Sequence, residues 1–109
     1  MNFGLSETTI SSIREIFTHF PEIEKAIIYG SRAKGNYKNG SDIDLTLLGN
    51  SLNLNISNKL EIALDDLLLP YTFDISIFHH ISNADLISHI HRNGKVFYEI
   101  NPNLSLQKD

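Results

Sequence analysis

Asp42 and Asp44 stand two residues apart in the segment Ser41-Asp42-Ile43-Asp44-Leu45. On a strand this spacing sends both carboxylates to one face while Ile43 and Leu45 turn into a core. Two carboxylates about 7 Å apart along one strand repel each other and resist ionisation. A bound cation relieves both problems, and hard carboxylate oxygens suit Mg²⁺. A third acid, Asp74, lies in Thr72–Phe78, where Phe73, Ile75 and Ile77 alternate with Thr72, Asp74 and Ser76. If that strand neighbours the Asp42–Asp44 strand, its carboxylate arrives about 5 Å to the side. Three carboxylates so placed can hold two ions roughly 4 Å apart, the spacing that clamps the attacking and leaving oxygens of an in-line phosphoryl displacement.

The complementary feature is Gly30-Ser31-Arg32-Ala33-Lys34-Gly35. A short apolar strand stops at Gly30 and turns into Ser31 and a short helix, which aims backbone N–H groups and a hydroxyl at whatever lies in front. A phosphate chain is the natural occupant, and Gly30 lets the backbone approach it closely. Taken singly, each feature has a bland explanation. An Asp-x-Asp is usually a solvated strand end, a Gly-Ser after a strand is usually a turn, and Asp74 could pair with a lysine. Their combination in this order is what points to phosphoryl chemistry. Arg32 and Lys34 either steer phosphate or are solvated charge on a surface helix. Tyr37, Lys38 and Asn39 occupy the loop before Asp42, within reach of a nucleotide. His79-His80 and His89/His91 lack metal-ligand spacing and are assigned no role.

Positioning these residues takes a series of short elements. Ser6 is a plausible N-cap for a helix with Ile10, Ile13, Phe17 and Phe20 at helical spacing, ended by Pro21, and Leu5 and Ile10 form a staple. Ala26–Tyr29 and Ile43–Leu48 read as buried strands, and Ile56–Leu68 as an amphipathic helix before Pro70. Asn83 caps a helix running to Asn93, with Gly94 as its left-handed C′ residue, and Lys95–Tyr98 forms a last strand. Gly30-Ser31 ends the first strand and Asp42 begins the second, so one triphosphate reaches both only if these strands are antiparallel. Asp42, Asp44 and Asp74 all lie early in their strands, so the second and third should be parallel, with the Ile56–Leu68 helix crossing over. The expectation is an α/β (α+β) fold: a mixed sheet of about four strands with helices packed against it, in a single domain spanning 1–109 with core 6–98 and a loose tail over 99–109.

Composition narrows the function. At 109 residues there is room for one core. A net charge of −4 with no basic stripe argues against general nucleic-acid binding. There are no cysteines, hence no disulfide or thiolate zinc site. No run of about 18 apolar residues exists to cross a membrane, and no secretory signal precedes the first helix. A cytoplasmic protein is the expectation.

From Ile27 through Leu45, including the full Gly-Ser-x-Ala-x-Gly and Ser-Asp-Ile-Asp-Leu elements, the sequence resembles the minimal nucleotidyltransferase (MNT) branch of the polymerase-beta-like nucleotidyltransferases. The resemblance implies the nucleotidyltransferase fold, with Gly30 and Ser31 at the triphosphate and Arg32 and Ser41 beside it. It implies two Mg²⁺ on Asp42 and Asp44, with Asp74 as the third acid. It further implies ATP as substrate and a helical HEPN-domain toxin as partner, which the MNT protein, as antitoxin, modifies by moving AMP onto a tyrosine. Two other functions remain open: a binding antitoxin that works by covering its partner, and a small-molecule nucleotidyltransferase completed by a second chain. Candidate contact surfaces are Leu52–Leu54 and the segment after Phe97.

Overall fold

The computed structural model describes residues 2–100. Its elements are α1 (Glu7–Thr18), β1 (Lys25–Tyr29), α2 (Ser31–Lys34), β2 (Ile43–Leu48), α3 (Leu54–Asp65), β3 (Phe73–Ile77), α4 (Ala84–Asn93) and β4 (Lys95–Glu99), with a 3-10 turn over Phe78–His80. The strands form one sheet in the order β3-β2-β1-β4. β1 is antiparallel to β2 and to β4, while β2 and β3 are parallel. The mixed sheet and both strand directions around the acids are thus as the placement of Gly30, Asp42 and Asp74 required. The expected tail falls largely on residues 101–109, outside the described residues.

Alternation divides the sheet into two unlike faces. Ala26, Ile28, Ile43, Leu45 and Leu47 are fully buried on one side against Ile13 and Phe17 of α1 and Leu60 and Leu64 of α3. This is the main core, and sequestering its apolar surface is the chief stabilising term. The opposite face carries the row Tyr29–Asp44–Asp74 and behind it the row Ile27–Thr46–Ser76. α4 covers the β1 side of that face, where His89 meets Tyr29 edge-on with ring centroids 6.2 Å apart.

Local signals account for most helix ends. Ser6 accepts a hydrogen bond from the Thr9 N–H at 3.1 Å, and Asn83 from Leu86 N–H at 3.1 Å, the side-chain caps their types favour. α3 starts earlier than its apolar periodicity suggests, because Asn53 accepts from Ile56 N–H at 2.9 Å and draws Leu54 and Asn55 into the first turn. It also stops earlier, at Asp65. Leu67 and Leu68 close onto Leu64 and Asp65 in tight turns, and Leu68 takes a left-handed φ of 56°.

Gly94 departs from its expected role. It is the C-cap of α4, in extended conformation with φ −65° and ψ 145°, not a left-handed C′ residue. A side chain at this position would run into the Ile90 carbonyl and Ile27 Cγ2. Glycine is present because α4 and β1 come close together, and no positive φ is involved.

Candidate active site

Three elements converge at one edge of the sheet. β1 ends at Tyr29, Gly30 adopts φ 76° and ψ −154°, and Ser31 opens α2. That backbone conformation is open essentially to glycine alone. α2 closes by Gly35 N–H donating to Ser31 O at 2.9 Å, and its first N–H groups have no preceding turn to bond to. Ser31 is half-buried at this opening. Not every donor faces outward, however: Gly30 N–H turns back to His89 Nε2 on α4, at 3.2 Å.

Antiparallel pairing sets Asp44 directly across from Tyr29, and parallel pairing sets Asp74 directly beside Asp44. Asp42 stands just before β2. Asp42 and Asp74 are exposed and Asp44 is half-buried. The Asp44 carboxylate lies against Gly30, in the space that any Cβ there would enter. The Gly30-Ser31 turn and the middle acid therefore touch.

The electrostatics follow from this crowding. Burial, then the neighbouring charges of Asp74 and Asp42, push the Asp44 carboxyl up to about 6, against a partial offset from Arg32. Burial also raises the Tyr29 phenol, and Asp74 and Asp44 add to it. The residues suit a hard divalent cation in donor type and in the uncompensated charge it would relieve. Among the described residues no three acidic, histidine or cysteine side chains are gathered tightly enough to form a ready-made ligand group.

The sequence profile of the family described as polymerase beta, nucleotidyltransferase matches residues 11–103. The chain belongs to this nucleotidyltransferase family. The four-stranded mixed sheet with its helices is the corresponding fold. No curated protein matches the sequence. Among solved structures, this chain is similar to a toxin–antitoxin structure with AMP-PNP, at TM-score 0.66 and 20% identity over 94% of this chain and 80% of that one. It is similar also to a structure of a tri-AMPylated Shewanella oneidensis HEPN toxin in complex with MNT antitoxin, at TM-score 0.64 and 16% identity over 94% and 79%. A third is the toxin–antitoxin MntA-HepT, at TM-score 0.58 and 18% identity over 93% and 79%. At these identities the likeness is one of fold.

The remaining site candidates are placed differently from Ser31 and the acids. Arg32 is only 2% exposed, so it is not solvated charge on a surface helix. Its Nε and Nη2 donate to Ser41 O at 3.1 and 2.8 Å, and Nη1 donates to Phe3 O at 2.9 Å. The guanidinium lies over the rings of Tyr37 and Tyr71, at 5.4 and 5.0 Å. Arg32 thus ties the segment before α1, the loop after α2 and the entry to β3 together, and sets where Asp42 begins. The Ser41 hydroxyl accepts from Lys38 N–H at 2.8 Å, so it too serves the loop. Nothing local marks Arg32 for this role, since two of its partners, Phe3 and Tyr71, come from distant segments. Arg32→Met should cost about 3 kcal/mol, because it leaves the buried Phe3 carbonyl and the part-buried Ser41 carbonyl without their charged donor. Thermal unfolding checks this, and an unchanged midpoint would refute it.

Of the expected contact surfaces, Leu54 is 65% exposed and Ile100 45%, whereas Leu52 packs on the core. No helix among the described residues is long and apolar enough to cross a membrane.

Proposed function

We propose that this protein is a Mg²⁺-dependent, cytoplasmic nucleotidyltransferase that moves AMP from ATP onto a tyrosine hydroxyl of a helical HEPN-type partner, acting as its antitoxin. The observation that carries the reading is the register: Asp44 and Asp74 are side by side, and the Asp44 carboxylate abuts the Gly30-Ser31 turn. A triphosphate resting on that turn has its α-phosphorus beside the acids. The AMP-PNP and AMPylated-toxin structures that share the fold support the choice of nucleotide and acceptor.

Asp42, Asp44 and Asp74 would hold Mg²⁺, which would supply charge neutralisation for the triphosphate and polarise the bonds at its α-phosphorus. The chain's own groups do the rest. Ser31 and the opening N–H groups of α2 bind the β- and γ-phosphates. Asp74, exposed at the front of the row, receives the proton of the incoming hydroxyl as its oxygen attacks the α-phosphorus and pyrophosphate departs. The acids occupy an open sheet face, so the acceptor's own surface completes the site.

Incubating the chain with ATP, Mg²⁺ and its helical partner should add one or more adenylyl units to the partner by intact-mass spectrometry. Efficient transfer to RNA or a small molecule by the isolated chain, with the partner's mass unchanged, would overturn the reading. Asp74→Ala should lower turnover on the order of a hundredfold while weakening ATP binding less than about threefold, with unfolding free energy within about 0.5 kcal/mol of wild type. A destabilised variant that is active once folded would instead make Asp74 a structural residue.

A further inference from the structure

The hydrogen bond that closes the phosphate turn comes from the far end of the sequence. Gly30 N–H sits where β1 has stopped and α2 has just begun, so it must look beyond both for an acceptor. It finds His89 Nε2 at 3.2 Å. That nitrogen accepts only when bare, so the neutral ring carries its proton on Nδ1. One turn on, Asn93 Nδ2 donates to His89 O at 3.4 Å and stands 3.2 Å from Nδ1, bracing α4 beside the ring. The ring is further held edge-on by Tyr29, and Gly94 lets α4 lie close enough to β1 for the contact to form.

Gly30 has no side chain to select one peptide orientation, and its φ of 76° lies where glycine moves freely. Something outside the turn has to choose. We propose that His89 is a positioning residue for the nucleotide site: by accepting from Gly30 N–H it locks the Tyr29–Gly30 peptide so that Ser31 and the opening N–H groups of α2 face the triphosphate. This rests on the nucleotidyl-transfer reading above. It also removes Gly30 N–H from the set of donors open to phosphate. α4 thereby becomes part of the nucleotide site without touching the nucleotide.

The test compares His89→Phe, which keeps a ring against Tyr29 but cannot accept, with His89→Gln, whose amide oxygen can. Both are made in the full chain. Hydrogen exchange at the Gly30 amide, followed by NMR without nucleotide, reads the contact itself. Calorimetry with Mg-ATP and steady-state transfer read its consequence. His89→Phe should speed Gly30 exchange at least about tenfold and raise the Kd and KM for ATP about fivefold with kcat nearly unchanged, and His89→Gln should restore most of both. Unaltered Gly30 exchange in His89→Phe overturns the proposal, as does wild-type ATP affinity in that variant. If His89→Phe does not fold, His89→Leu, which likewise cannot accept from Gly30 N–H, should weaken ATP about fivefold, and wild-type affinity there overturns the proposal equally. A wild-type chain that binds no Mg-ATP would overturn the nucleotidyl-transfer reading instead, whatever Gly30 exchange shows.

Discussion

Asp44→Asn should lose transfer by on the order of a thousandfold or more and, without metal, unfold at a higher temperature than the wild type. The first effect follows from its place at the centre of the Tyr29–Asp44–Asp74 row, against the Gly30 turn. An amide keeps the shape but loses the charge that holds a cation, and several kcal/mol of transition-state stabilisation go with it. The second effect follows from its ionisation. The Asp44 carboxyl is raised from an ordinary 3.8 to about 6 by burial and by Asp74 and Asp42. Between those values the folded chain binds more protons than the unfolded chain, so stability falls as pH rises through that window. The deficit is complete at neutral pH and absent below about pH 4. For a half-exposed carboxylate screened by solvent it amounts to about 1–2 kcal/mol, or about 4–9 °C in midpoint for a chain of this size. Unfolding curves of the two proteins should therefore separate at pH 7.5 and converge near pH 4, and added Mg²⁺ should stabilise the wild type alone. Near-normal transfer by Asp44→Asn would sink the metal-site reading.

The parts of the fold legible in the sequence were those governed by short-range rules. Alternation alone assigned Ile43 and Leu45 to the core and Asp44 to the opposite face. The side-chain caps at Ser6 and Asn83 needed only the residue type and the apolar spacing that follows. Strand direction was legible for a different reason: Gly30 at a strand end and Asp42 and Asp74 at strand starts can serve one ligand in only one arrangement of three strands, and the pairing follows it.

Illegible were interactions that cross the chain. Arg32 donates to Phe3 O, 29 residues away, and Gly30 to His89, 59 residues away. Neither partner has a spacing or neighbour that flags it. Burial of a charged residue on a four-residue helix runs against the usual exposure of arginine, and here backbone carbonyls and two tyrosine rings compensate it. Gly94 shows a subtler failure. Glycine after a helix is most often there for its left-handed φ, and close approach of α4 to Ile27 leaves the same residue in the same place for another reason.

Gly30→Val should abolish detectable ATP binding, a loss on the order of a hundredfold or more, through two effects that can be separated. A φ of 76° strains any side-chain-bearing residue, by about 1–3 kcal/mol, more for a branched one. Independently, the new Cβ enters the space of the Asp44 carboxylate, so the Gly30-Ser31 turn and Asp44 cannot both keep their positions. Ser31→Ala removes one hydroxyl contact and should weaken ATP only about fivefold, so calorimetry with Mg-ATP should rank wild type, Ser31→Ala and Gly30→Val in that order. The double variant Gly30→Ala/Asp44→Ala separates the two effects. Removing the carboxylate relieves the collision but not the backbone strain, so the pair should be less destabilised than the sum of the single changes, a coupling of about 1 kcal/mol or more, while ATP affinity stays lost. Additive stabilities would mean that the Gly30 turn and Asp44 are not in contact. ATP binding by Gly30→Val at wild-type strength would place the triphosphate elsewhere on the protein.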